Sequence, residues 1–261
     1  MNDYARVLES TENHLLALKA GGTRFVTVHA ETLAELRRPP PMVAEAPPPE
    51  PATEPVDKRK AMTDLKERTL ACLKCPHLAG SRKNVVFGVG NIDAPLMFVG
   101  EAPGADEDRE GEPFVGAAGQ LLTRIIKTMG LSRETAYIAN ILKCRPDTPG
   151  RSSGNRKPTG DEMKTCLPYL LVQIELIQPK VMVALGSTAV EGLLGKTEIG
   201  KIRGRFQMFR DIPLMPTFHP AYLLRNQALG EKRKVWEDML KVMEKLEMPI
   251  SEKQRGYFLH A

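Results

Sequence analysis

The chain has 261 residues, 42% of them apolar, and a formal net charge of +5. That length buries one substantial core and leaves room for a small second module, and the excess of Lys and Arg favours a polyanionic partner through counterion release without bearing on the fold. The first ten residues lack a cationic start followed by an apolar segment, and no apolar run approaches the ~20 residues needed to span a bilayer, so a cytoplasmic protein without membrane contact is expected.

In chain order, residues 2–20 place Leu8, Leu15, Leu16 and Leu18 at helical spacing, and Gly21 and Gly22 stop the pattern. A short β-like stretch follows over Arg24–Val28. Residues 39–57 are proline-rich; prolines remove backbone donors and favour extended polyproline conformation, so they read as a linker after an N-terminal helical segment, 1–38. A globular domain is expected over 58–248, followed by a charged tail, 249–261.

Within that domain, four short apolar runs read as buried strands: Pro95–Val99, Ala136–Ala139, Val181–Leu185 and Pro213–Phe218. Helical patterns over Gly119–Met129, Gly160–Ile177, Ser187–Leu194 and Glu231–Leu246 alternate with them. Alternating β and α elements predict an α/β fold with a parallel sheet covered on both faces, and such sheets bind ligands beyond the carboxyl ends of their strands.

At those ends stand Gly100-Glu101-Ala102-Pro103-Gly104, then Asn140, then Gly186-Ser187, then His219-Pro220. A carboxylate, an amide and an imidazole therefore converge where the pocket belongs. Taken singly, Asn140 reads more readily as a turn former or helix cap, and His219 is equally a structural histidine; the joint position carries the argument. The loop from 100 to 122 is richer in glycine and carboxylates than a strand-to-helix connection requires, and its lone aromatic, Phe114, is either core filler or the floor of a flat pocket. A phosphate-cradling loop fits poorly, because no Gly-Lys-Ser/Thr ending follows and the acidic residues would repel phosphate. The four cysteines, Cys72, Cys75, Cys144 and Cys166, read as metal ligands in a reducing compartment.

GEAPG followed by ED, then GEPFVG, with Cys-x-x-Cys upstream and HPAYLLRN downstream, closely resembles the family 4 uracil-DNA glycosylases over roughly residues 68–245. The resemblance implies a three-layer αβα fold around a four-stranded parallel sheet, and a monofunctional glycosylase that flips deoxyuridine out of DNA and hydrolyses its N-glycosidic bond, initiating base excision repair. It further implies that His219 stabilises charge on uracil O2, Glu101 orients or activates water, and Asn155 lies on the water and phosphate side, although a plain turn competes for Asn155. Asn140 would read the O4 and N3–H edge, Phe114 would stack on the base, and Glu107 would sit beside uracil C5. Ala102, Pro103, Gly104 and Ser187 would complete the substrate pocket, while Leu223, Leu224 or Arg225 would wedge into the DNA. Lys83, Arg203 and Arg205 are candidate phosphate contacts, with solvated surface charge as the alternative.

The four cysteines would hold a [4Fe–4S] cluster of structural role, with zinc as the alternative. Uracil-containing DNA is the expected partner and a monomer the expected state; the N-terminal segment is a candidate contact for a replication or repair protein. The chain departs from the family in a longer connection near Asp147–Ser153, and residues 194–206 lack the histidine of a branch that traps DNA covalently, so ordinary turnover is expected. A noncatalytic iron–sulfur nucleic-acid-binding module or a redox protein is the rival reading, which leaves the grouping at the strand ends without explanation.

Overall fold

The computed structural model describes residues 3–25, 27, 29–31, 57–147 and 155–259. The chain divides into two units, Met1–Pro55 and Val56–Ala261. In the first, a helix spans Asp3–Ala20. It ends as the two glycines require: Gly22 takes φ +87°, and Thr23 N–H returns to the Leu18 carbonyl at 3.1 Å. Arg24, Phe25 and Thr27 form no strand, and the proline-rich residues lie outside the described ones except Asp57.

The second unit is built on a mixed sheet of β1 (Val89–Gly90), β2 (Leu96–Gly100), β3 (Tyr137–Asn140), β4 (Val181–Leu185), β5 (Gln207–Phe209) and β6 (Ile212–Thr217). The order is β1-β3-β2-β4-β6-β5. The expectation of a four-stranded parallel sheet is thereby corrected. The four apolar runs form the parallel centre, and β1 and β5 flank it antiparallel. Both additions are too short for a period-2 pattern to show: β1 has two residues, and β5 has three that turn back through Arg210 at φ +51°.

Burial on both faces explains why the central strands read as unbroken apolar runs. Leu96 and Phe98 pack on one side with Leu122, Ile126, Trp236 and Met239, from the helices Ala117–Thr128 and Leu229–Lys245. Met97 and Val99 pack on the other with Leu65, Leu170, Ile174 and Val190, from Lys58–Leu70, Gly160–Ile177 and Ser187–Leu194. The helix Lys58–Leu70 is dominated by charge, and only Met62, Leu65 and Thr69 are buried. Asp57 starts it by accepting hydrogen bonds from the amides of Arg59 and Lys60.

Part of the expected C-terminal tail is ordered structure. Glu252–Gly256 is helical, Trp236 Nε1 donates to the Gln254 carbonyl at 2.6 Å, and Tyr257 meets the Trp236 ring edge-on. Among the described residues, no helix is long and apolar enough to cross a membrane.

The order reverses direction at the centre: β3 lies on one side of β2, and β4 and β6 lie on the other. The carboxyl ends of β2 and β4 therefore flank a topological switch point, where an open α/β sheet leaves a crevice.

Candidate active site

A cavity of about 550 Å³ occupies that crevice. Its wall includes Glu101, Ala102 and Pro103 from the end of β2, Gly186 and Ser187 from the end of β4, and His219 and Arg225 beyond β6. Asn155, Arg156, Phe218 and Tyr222 complete much of the remainder. Elements distant in sequence thus deliver a carboxylate, an imidazole, a hydroxyl and an amide to one space. Asn140, Phe114, Gly104 and Glu107 stand behind or beside this wall rather than on it.

His219 caps the short helix Pro220–Arg225, whose Pro220 occupies the first turn without needing an amide partner. Its Nδ1 accepts from Ala221 N–H at 3.1 Å, so the neutral ring carries its proton on Nε2. Burial pushes the imidazole pKa down to about 4; Arg225 acts in the same direction, and Glu107 opposes it. At neutral pH, His219 is an uncharged donor. The Phe114 ring stacks on it with centroids 5.6 Å apart. Gly186 at φ +91° makes the approach possible, because a Cβ there would stand 3.0 Å from that of His219.

Asn140 ends β3, paired with Gly100 at the end of β2, and is 2% exposed. Its Oδ1 is buried without a hydrogen-bond partner among the described residues. Such an acceptor costs about 1–3 kcal/mol unless a ligand supplies the missing donor. Gly100 leaves space between this amide and Phe114: a Cβ there would lie 2.4 Å from Asn140 Oδ1 and 2.5 Å from Phe114 Cζ.

Glu107 lies in the short helix Ala105–Glu110 and accepts three main-chain bonds, from Gly104 at 3.0 Å, Val115 at 3.0 Å and Gly116 at 2.9 Å. Its carboxylate therefore ties the two arms of the acidic loop together. Asn155 Oδ1 accepts from Arg145 Nε at 2.9 Å, and Asn155 Nδ2 lies on the side of Gly104. Leu223 is buried and lines a separate apolar groove with Leu224, Ile125 and Trp236, whereas Arg225 is exposed at the cavity rim. Arg203 is corrected from phosphate contact to internal brace: it pairs with the fully buried Asp238 at 2.6 Å, and Asp238 also accepts from Thr217 at the end of β6. Lys83 and Arg205 are exposed.

The four cysteines line a second, small cavity with Leu78, Arg82, Leu142 and Glu162. Cys75 precedes the helix Pro76–Ser81, Cys144 follows β3, and Cys166 lies on Gly160–Ile177. Arg82 Nη1 donates to Cys144 Sγ at 3.1 Å, and Lys143 N–H donates to Cys166 Sγ at 3.2 Å. Burial pushes the Cys166 thiol up to about 11, so a bare thiolate there is costly without a cationic partner.

Glu162 borders the same cavity and joins it to the first one. It accepts from His77 Nε2 at 2.6 Å and from both terminal nitrogens of Arg156, at 2.8 and 2.5 Å. The Arg156 contact holds the Glu162 carboxyl down at about 2. Neither Arg156 nor Arg145 was singled out from sequence; the signal available was their adjacency to Asn155 and Cys144.

Residues 87–240 match the family model described as the uracil DNA glycosylase superfamily. A type-4 uracil-DNA glycosylase of Thermotoga maritima is 45% identical over 188 residues, 70% of this chain and 94% of that protein. Type-4 uracil-DNA glycosylases of Sulfurisphaera tokodaii and Saccharolobus solfataricus are 40% and 45% identical, covering 76% and 67% of this chain and 90% and 82% of theirs. With the family model spanning more than half of its length and these relatives aligned over two thirds or more of it, this chain belongs to the uracil-DNA glycosylase superfamily.

Proposed function

We propose that the protein is a uracil-DNA glycosylase that takes deoxyuridine into the strand-end cavity and hydrolyses the bond between C1′ and N1. The observation that carries this reading is the orphaned, buried Oδ1 of Asn140. Uracil N3–H is the donor it lacks, and the amide nitrogen of the same side chain suits uracil O4. Cytosine presents an acceptor at N3 and a donor at N4, leaving both members of each pair unmatched, a mismatch that rejects a substrate by about 10⁴–10⁵.

As the C1′–N1 bond breaks, its electrons remain on uracil and negative charge gathers on O2. His219 Nε2–H donates to that oxygen, in a site where the preorganised dipole replaces water. Phe114 stacks on the base. Glu101, with Asn155, orients a water whose oxygen adds to C1′; its proton passes to the carboxylate and then to solvent, leaving an abasic sugar and the uracil anion, which takes up a proton from solvent. Flipping vacates the stack, and Leu224 and Arg225, more exposed than Leu223, are the candidates to fill it.

The cysteine site supports a [4Fe–4S] cluster. The four thiols surround one cavity, and a [4Fe–4S] cluster takes four thiolates. Cys144 and Cys166 lie much farther apart in the chain than the second pair of a zinc ribbon. Bound there, the cluster would cross-link the segment before β2, the end of β3 and the helix Gly160–Ile177. Residues 58–248 form the catalytic domain in this reading, with 39–57 as linker and 1–38 as an accessory segment.

Incubation with a uracil-containing oligonucleotide, followed by cleavage at abasic sites, tests the proposal. Strand breaks above control are expected, together with their loss in Asn140→Asp, whose ionised carboxylate has no donor for O4. No breaks with the cluster-loaded protein would end the glycosylase reading.

A further inference from the structure

Phe114 holds a backbone conformation that its side chain disfavours: φ is +56°, in the left-handed region that bulky residues rarely enter. The flanking peptide groups are gripped from both sides. Arg133 Nη2 donates to the Pro113 carbonyl at 2.7 Å, and Nη1 donates to the Phe114 carbonyl at 3.0 Å. From the opposite side, Glu107 accepts the next two amides, Val115 and Gly116, while its second oxygen takes Gly104 N–H. A cation thus holds two successive carbonyls and an anion the two amides that follow. Gly119 permits the fold of the loop, since a Cβ there would come within 1.9 Å of the Phe114 carbonyl group.

We propose that Arg133 and Glu107 form a two-sided brace that locks Phe114 in its left-handed conformation, making Arg133 a positioning residue for base stacking and for the imidazole of His219. The inference rests on the reading of Phe114 as the stacking residue. It also gives Glu107 a role distinct from lying beside uracil C5. Arg suits the task because its planar fork reaches two carbonyls at once, whereas lysine has a single charged nitrogen. Released from the brace, the loop returns toward ordinary φ and carries the ring away from Gly100, Asn140 and His219. Displacement of a positioning group by about 1 Å costs on the order of 10²-fold in rate.

The test is a double-mutant cycle on the full chain with its cluster loaded, read by single-turnover uracil release. Binding is measured with an abasic oligonucleotide and with one carrying a non-hydrolysable 2′-fluorinated deoxyuridine. Arg133→Gln is expected to slow release by about 10- to 100-fold. It should weaken binding of the fluorinated analogue and leave abasic binding within about twofold. Added to Phe114→Ala, it should cost less than about twofold more, as expected for two residues acting through one contact. Arg133→Lys, the milder variant should glutamine compromise folding, should fall between wild type and Arg133→Gln. Wild-type rates in both Arg133 variants, or a full additional loss in the Phe114→Ala background, would overturn the brace. A Phe114→Ala enzyme as fast as wild type would instead remove the stacking role on which the brace rests.

Discussion

The two polar regions of this domain use opposite designs. The cysteine site is small, its four thiols are of one residue type, and the donors around it, Arg82 and the Lys143 amide, point at sulfur. The strand-end cavity is about 550 Å³ in volume, its polar groups are of several kinds, carboxylate, imidazole, hydroxyl, amide and guanidinium, and the amide behind it keeps an acceptor without a partner among the described residues. A site that only has to hold is satisfied from within. A site that has to bind and turn over keeps groups unsatisfied for its ligand, and the surrounding fold carries that cost.

The largest effect that separates them is at His219. Replacing it by alanine removes a preorganised donor and should slow uracil release by about 10²–10³-fold. Visible absorption of the proposed cluster should stay near wild type, while stability, read from the unfolding midpoint, should fall by no more than the loss of a helix cap, about 1 kcal/mol, since His219 caps Pro220–Arg225. If His219→Ala bleached the cluster, the two regions would not be separable as described, and the comparison would fail.

A smaller effect is expected where they touch. Glu162 borders the cysteine cavity and holds Arg156, which lines the other. Glu162→Gln keeps the shape and removes the charge, leaving Arg156 short of its partner, so a loss of about 1–3 kcal/mol in stability is expected. Uracil release should fall by less than about tenfold, since Arg156 and its neighbour Asn155 shift without being lost. Unchanged unfolding and unchanged release together would show that the ion pair links nothing.

The two regions were also unequally legible in the sequence. Val181–Leu185 and Gly160–Ile177 coincide with their expected bounds, because burial on both faces leaves an unbroken apolar run and the long helix carries its apolar residues at helical spacing. Glu101, Asn140 and His219 follow from that pattern, since strand ends are where the sheet opens. The edge strands β1 and β5 are too short to carry a period, and Lys58–Leu70 hides its three buried positions among charges. What a polar side chain bonds to was the least readable. Glu107 looked like a pocket group and instead binds three amides; Arg133 lies in a turn with no pattern and holds two carbonyls. Such partners depend on loop paths that tertiary contacts decide. Phe114 shows this most clearly, because nothing in Pro113-Phe114-Val115 announces a positive φ.

The smallest predicted effect is a flat line. An ordinary histidine changes charge near pH 6.5, and a catalytic one left at that value would bend the rate profile across the physiological range. His219 is held at about 4, chiefly by burial, and its Nδ1 already accepts from Ala221. It stays neutral, with Nε2–H available, from about pH 5.5 upward. Single-turnover uracil release should therefore show no His219-dependent inflection between about pH 6 and 8. Stability behaves differently: the unfolded chain gains the His219 proton below its ordinary value of 6.5, while the folded chain resists until about 4. Stability should accordingly decline as pH falls through that window, and less steeply in His219→Asn. An inflection near pH 6.5 that disappears in His219→Asn would mean that the imidazole titrates freely, and the strand-end cavity would then be wetter and less preorganised than its geometry implies.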